Sequence, residues 1–176
     1  MFTTTLYLDF DGVVNAKHPT HELIAKFTIA IKDSLNLAPL NYITFSPTVV
    51  ETIDRLREQY NVELVWLTTW NEKDDVLKLS KPLGGLHGGR VLLANLNQKS
   101  INKSEWTHWK AEAIIADQLT SPRPFVWIDD NAHQFHGEIV SAETQKVSSL
   151  MLTPVSRTGL TVENLTHVED FLKRVS

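Results

Sequence analysis

Short apolar runs recur along the chain, and the stretches between them repeat their apolar positions at three- and four-residue spacing. The runs Thr4 to Asp9, Val62 to Leu67, Arg90 to Ala94, Phe125 to Ile128 and Ser149 to Thr153 read as strands, rich in Val, Ile, Leu and aromatics. Between them, Ser46 caps a helix to Tyr60, with Pro47 at its first position, Glu51 in its first turn and Val50, Ile53 and Leu56 on one face. A short helix over Glu72 to Leu79 is expected to stop at Pro82, Gly84 and Gly85. A longer one runs from Ser104 to Leu119 and breaks at Ser121-Pro122-Arg123-Pro124. Thr161 caps a last amphipathic helix through Val162, Leu165, Val168, Phe171 and Leu172.

Strands alternating with helices predict an α/β fold, a Rossmann-like three-layer α/β/α sandwich around a mostly parallel sheet. The segment from Ala16 to Phe45 fits this rhythm least. It reads as a helix around Glu22 to Ile31 plus a hairpin, a small lid inserted in a single domain spanning 1–176. Gly84-Gly85 and Gly88-Gly89 lack the strand-to-helix setting of a nucleotide-binding loop and read as turns.

With 176 residues, 42% of them hydrophobic, the chain suffices for one sizeable core and is short for two domains. A net charge of −4 argues against a broad basic surface for nucleic acid, while leaving room for a groove that takes one phosphate or a strand end. Lack of cysteine excludes disulfides, thiolate metal sites and cysteine nucleophiles, and suits a reducing compartment. Met1 to Thr5 has no charged n-region or long apolar run, and no stretch approaches a membrane span, so a cytoplasmic protein is expected.

Chemistry enters at the strand ends. The first strand closes on Asp9-Phe10-Asp11-Gly12, and a strand this apolar has no structural use for acids, whose burial costs several kcal/mol per ion unless compensated. The second ends in Thr68-Thr69-Trp70-Asn71 and the fourth in Asp129-Asp130-Asn131. Parallel strands bring their carboxyl ends to one edge, so these groups converge across more than a hundred residues. A lysine at a helix start completes the set, with Lys110 preferred over Lys103 and Lys99 because its helix leads directly into the strand of Asp129.

The residue types suit phosphoryl transfer: one carboxylate attacks phosphorus, another protonates the leaving oxygen, and a hydroxyl and an ammonium hold the phosphoryl oxygens. Remaining acids keep a divalent cation in place. Hard oxygen ligands make that cation Mg²⁺.

This ordered set resembles the haloacid dehalogenase (HAD) superfamily of aspartate-nucleophile phosphohydrolases. Its motifs stand here as Leu6-Tyr-Leu-Asp-Phe-Asp-Gly-Val-Val-Asn15, Val65-Trp-Leu-Thr-Thr-Trp-Asn71, Lys110 and Trp127-Ile-Asp-Asp-Asn131. The resemblance implies that Asp9 is the nucleophile, Asp11 the general acid/base, Thr68 a phosphate ligand and Lys110 the group that steadies nucleophile and phosphate. Asp9, the backbone carbonyl of Asp11, Asp129 and Asp130 would hold Mg²⁺, with Asp130 in direct contact. An acid at Asp11 favours phosphatase over dehalogenase chemistry.

Within the superfamily, the short lid and the Trp-Leu-Thr-Thr-Trp motif resemble the HAD domains of polynucleotide kinase-phosphatases and RNA-repair proteins. A nucleotide or nucleic-acid end phosphate thereby joins the expected substrates, under the broader heading of a phosphomonoester. The implied partners are therefore a small phosphorylated substrate or such an end, with no membrane.

Other readings remain open at single positions. Either Thr68 or Thr69 faces the site, and both hydroxyls could simply serve turn backbone. Trp70 is either packing or a platform for a base. Asp130 could be a helix N-cap. His133 and His136, and His18 and His21 on the lid, repeat a three-residue spacing without making convincing ligands. A phosphotransferase and a HAD-like binding module without turnover are alternative functions. A signalling receiver domain uses similar groups in a different order, with its paired acids first.

Overall fold

The computed structural model describes residues 2–20, 23–30, 40–68, 70, 73–92 and 103–176, the backbone alone at 40, 73–74, 103–107 and 132. In chain order its strands are β1 (Thr4–Leu8), β2 (Ala25–Ala30), β3 (Leu40–Phe45), β4 (Val62–Trp66), β5 (Arg90–Val91), β6 (Phe125–Ile128) and β7 (Ser149–Leu152). The helices are α1 (Pro47–Gln59), α2 (Lys73–Lys78), α3 (Ser80–Leu83), α4 (Lys103–Thr120), α5 (Ala132–Glu143) and α6 (Val162–Val175).

Five strands pair in the order β5-β4-β1-β6-β7, and every pairing is parallel. Every residue of β1, β4 and β6 is buried, which is why these strands read as unbroken apolar runs. Alternate side chains serve opposite layers. Leu6, Leu8, Leu64, Trp66, Val126 and Ile128 form one core with α1 and α6. Tyr7, Val65, Leu67, Phe125 and Trp127 form the other with Ala111, Ile114 and Val140 of α4 and α5. The fold is thus the expected three-layer sandwich of the HAD kind.

The chain leaves β1 toward β4 and β5 and later returns to β6 and β7 on the other side, so the sheet has its switch point beside β1. Loops diverge there and leave a crevice at the carboxyl edge. Register makes that edge even: Leu8 lies opposite both Trp66 and Ile128. The Asp9 amide donates to Ile128 O at 3.0 Å and the Leu67 amide to Leu8 O at 2.9 Å.

Helix boundaries follow local chemistry. The Ser46 hydroxyl accepts from the Val49 amide ahead of Pro47, and Thr161 and Asn164 form a reciprocal capping box for α6. Pro82 does not stop the helical stretch after Trp70. It sits inside α3, where a first-turn proline loses no hydrogen bond, and the turn closes at Gly84 in the left-handed conformation. The third strand is described only over Arg90–Val91, and Ala94 lies outside the described residues, as does Glu72 at the expected start of α2.

Residues 25–30 are a strand, correcting the helix expected over Glu22 to Ile31. Phe27 and Ile29 alternate with exposed Lys26 and Thr28, and β2 pairs antiparallel with β3. Phe27 packs edge-to-face on Phe45 at 5.8 Å, and Ile43 and Phe45 are buried in the α1-side core. A two-residue period satisfies this surface; a helix would carry Lys26 and Thr28 into it. The α5 helix is an addition to the expected elements.

Away from the carboxyl edge, an ionic network ties β4, β5 and α4 together. Arg90 donates to Glu63 at 2.7 Å and to Asp117 at 2.7 Å. Arg123 also reaches Glu63, and the Tyr7 hydroxyl donates to Asp117 at 2.7 Å.

Candidate active site

Asp9 is the first residue beyond β1 and only 6% exposed. Its Oδ1 accepts from the Phe10 amide at 2.7 Å and its Oδ2 from Lys110 Nζ at 2.7 Å. The chain then turns sharply: the amides of Val14 and Asn15 both donate to Phe10 O, and Gly12 N donates to Asn15 O. Gly12 has φ +75°, and a Cβ there would stand 2.3 Å from Asp130 Oδ2 and 2.8 Å from Ser156 Oγ. Glycine therefore lets the Asp-x-Asp-Gly loop lie against Asp130.

Asp11 faces solvent and is steered by two donors, Asn15 Nδ2 at 2.7 Å and Trp70 Nε1 at 2.9 Å. Trp70 also packs edge-to-face on Phe10 at 4.9 Å. Its indole is thus a strut for Asp11, holding the second motif to the first. Asn15 uses its other end to accept from the Thr44 amide of β3 at 3.0 Å, which fastens the hairpin to the same loop.

Asp129 is fully buried at the end of β6, with Oδ1 accepting from the Asn131 amide at 3.0 Å and Oδ2 from Lys110 Nζ at 2.6 Å. Asp130 is half-buried, hydrogen-bonded to Ser156 and to Asn131 Nδ2. The N-cap of α5 is Asn131 rather than Asp130. Carboxylate oxygens of Asp9, Asp129 and Asp130 lie within 4.8 Å of one another, while the Asp11 carboxylate is outside this group.

Lys110 lies in the middle of α4, not at its start as expected, since the helix begins at Lys103. The neighbouring Ala111 and Ile114 pack on the sheet. Lys110 itself is 2% exposed and bonds Asp9 and Asp129 together. Lys99, Thr69, His21 and the side chain of Lys103 lie outside the described residues.

Thr68 stands in the second motif just beyond β4, 1% exposed, and its Oγ1 is buried without a hydrogen-bond partner among the described residues. A buried hydroxyl left unmet is costly unless a ligand meets it. His133 and His136 belong to α5. His133 packs edge-to-face on Trp127 and bonds the Thr153 hydroxyl, with burial holding its imidazole below its usual range. His136 is buried beside His108. Neither joins the acidic group.

The electrostatics follow from burial. Desolvation pushes the Asp9 carboxyl up to about 7, with Lys110 opposing and Asp129 adding to the rise. Burial alone would lower the Lys110 ammonium, yet the two carboxylates outweigh it and hold the pKa above its ordinary value. Asp130 is likewise raised, mainly by burial. Such a set, three hard oxygen donors against one internal cation, fits a bound Mg²⁺, whose charge would favour the ionised forms of Asp9 and Asp130.

Ser156 and Arg157, in the loop after β7, were not anticipated. They stand several residues beyond the end of β7, where no acid or motif marked the loop. With Asp11, Asn15, Lys17, Tyr42 and Thr44 they line an open groove of about 910 Å³ beside the acids.

A parallel sheet whose carboxyl edge gathers an Asp-x-Asp loop, a buried threonine, a lysine and paired acids has the architecture of the HAD superfamily, a class of phosphohydrolase-type enzymes. More narrowly, the model of the HAD domain in Swiss Army Knife RNA repair proteins matches residues 5–165, and the chain belongs to that family. No curated protein matches the chain. Among the described residues, no helix is long and apolar enough to cross a membrane.

Proposed function

We propose that the protein is a Mg²⁺-dependent phosphatase that hydrolyses a phosphomonoester through an aspartyl-phosphate on Asp9. The observation that carries this reading is Lys110, which joins Asp9 and Asp129 by buried bonds of 2.7 and 2.6 Å. At the same sheet edge the buried Thr68 hydroxyl has no hydrogen-bond partner among the described residues. The arrangement supplies a fixed nucleophile and donors for phosphoryl oxygens at one edge.

In the first step an Asp9 oxygen attacks phosphorus, the P–O bond to the leaving group breaks, and Asp11 donates its proton to the departing oxygen. In the second, Asp11 takes a proton from water, whose oxygen displaces Asp9 and yields inorganic phosphate. Asn15 and Trp70 aim Asp11 for both transfers, acting through it. Lys110 draws Asp9 toward its ionised form and orients it, and with Thr68 holds the phosphoryl oxygens. Asp9, the Asp11 carbonyl, Asp129 and Asp130 would hold Mg²⁺, which supplies charge neutralisation for the transferring group.

The substrate class we favour is a nucleotide or nucleic-acid end phosphate, supported by membership of a family described from RNA-repair proteins. Hairpin β2–β3 then acts as a small flap beside the site. The absence of cysteine suits work in the cytoplasm. Acid quenching during turnover of a ³²P-labelled phosphomonoester tests the intermediate. Label should remain on the wild-type protein and be absent from Asp9→Asn; equal labelling of both would overturn the assignment.

A further inference from the structure

The groove beside Asp11 has features that the hydrolysis of a small phosphomonoester does not use. Its walls come from three places: the loop after Asp9 (Asn15, Lys17, His18), the hairpin (Tyr42, Thr44) and the loop after β7 (Ser156, Arg157). Backbone bonds fasten them together, with Ala16 N donating to Thr44 O at 2.9 Å, His18 N to Arg157 O at 2.8 Å and Leu160 N to Val13 O at 2.9 Å. The groove is therefore preformed, and it opens at Asp11, the proposed acid, where the leaving group must sit.

Its chemistry is distinctive within a chain of net charge −4. Lys17 and Arg157 are exposed, and among the described residues neither is paired with a carboxylate. Tyr42 projects from β3 at 79% exposure, an aromatic face presented to solvent. On the far side of Tyr42 a shallower hollow of about 260 Å³ continues over the hairpin, sharing Tyr42 and Thr44 and lined also by Lys26. Cations flanking an exposed aromatic ring, in sequence away from the phosphate site, are what a single strand of nucleic acid requires. Its charges repeat along the backbone and its bases offer stacking faces. A free mononucleotide or a sugar phosphate would leave Lys26 and the far hollow unused.

Resting on the phosphatase reading above, we infer that this groove holds the strand that bears the terminal phosphate, so that the substrate is a single-stranded nucleic-acid end and not a free nucleotide. Lys17 and Arg157 engage the phosphodiester next to the reacting phosphate. Tyr42 stacks a base, and Lys26 meets the strand beyond it.

The test uses full-length protein in Mg²⁺ and a fluorescein-labelled tetranucleotide RNA ending in a 3′-phosphate. Binding is read by anisotropy in the Asp9→Asn background, where turnover does not interfere. Adding Lys17→Ala with Arg157→Ala, or Tyr42→Ala alone, should weaken binding about tenfold or more. The double change should also lower the salt dependence by about 0.7 for each phosphate contact removed. In turnover, kcat/KM for the tetranucleotide should exceed that for a nucleoside 3′-monophosphate about tenfold, and the three substitutions together should erase this preference.

Hydrolysis that needs Asp9 yet treats both substrates alike, or prefers a phosphoserine peptide, would overturn the strand inference and leave the phosphatase standing. Binding that depends on Lys17, Arg157 and Tyr42 without hydrolysis of any phosphomonoester would do the reverse. Unchanged binding in the variants would refute the subsite outright.

Discussion

Lys110 is the residue on which the electrostatics of the site balance, and replacing it with methionine tests that directly. Methionine keeps most of the apolar stem, so the change removes the ammonium that bonds Asp9 at 2.7 Å and Asp129 at 2.6 Å while disturbing packing little. Breaking a buried pair by deleting one partner costs about 3–5 kcal/mol, because the charge left behind is uncompensated. In a domain whose whole stability is about 5–15 kcal/mol, that loss is large.

The pH dependence separates this cause from simple cavity formation. In metal-free wild type the Asp9 carboxyl titrates at about 7, against about 3.9 when unfolded. A raised carboxyl means that the native state holds a proton the unfolded chain has released. Stability therefore falls as pH rises through this window and levels off above 7. Without Lys110 the carboxyl rises further, so above pH 7 the variant goes on losing stability where the wild type levels off, by at most about 1.4 kcal/mol per pH unit.

Urea denaturation in EDTA at pH 5.5 and 8.5 measures it. Destabilisation should be larger at pH 8.5, and millimolar Mg²⁺ should restore part of it by replacing the missing positive charge. An equal penalty at both pH values, or one below about 1 kcal/mol at pH 8.5, would refute the reasoning.

Three further expectations follow from the same geometry. Thr68→Val removes a buried hydroxyl that has no partner among the described residues; thermal melts should show unchanged or slightly raised stability, while kcat/KM for a phosphomonoester falls at least about tenfold. A stability loss of about 2 kcal/mol would instead mark the hydroxyl as structural. Gly12→Ala forces a Cβ to 2.3 Å from Asp130 Oδ2 at φ +75°. Calorimetric titration should show Mg²⁺ affinity down about tenfold, together with about 1–3 kcal/mol of lost stability, and unchanged affinity would contradict the close approach. For the wild type, the Mg²⁺-induced rise in melting temperature should be greater at pH 8 than at pH 5, since the cation binds the ionised form of Asp9 that protonation removes; the opposite trend would show that Asp9 is not part of the metal site.

Most of the sheet and the shape of the site were legible because the central strands are buried on both faces and carry their site groups just beyond their carboxyl ends. In β1, β4 and β6 the apolar run and its polar terminus are one signal, and parallel register turns it into a place. What escaped was set by contacts that local pattern does not encode. Ala25, Phe27 and Ile29 suit either a helix or a strand until Ile43 and Phe45 arrive across the hairpin and favour the two-residue period. The α5 helix buries little beyond His136 and Val140 and exposes Phe135 and Ile139, so its amphipathic pattern is faint.

The span of α4 was legible, expected from Ser104 and observed from Lys103, but Lys110 was expected near a helix start and stands about two turns in. Trp70 was weighed as packing or as a base platform, and its bond to Asp11 could not be read from spacing. Ser156 and Arg157 stayed hidden in a loop without a motif, and they are the groups that shape the groove.

The central claim is best tested by p-nitrophenyl phosphate hydrolysis with Mg²⁺ and with EDTA, in the wild type and in Asp9→Asn. The account predicts turnover in the wild type that EDTA abolishes and Asp9→Asn lacks, with the circular dichroism spectrum and melting transition of the variant intact. Full activity in Asp9→Asn, or turnover indifferent to EDTA, would contradict it.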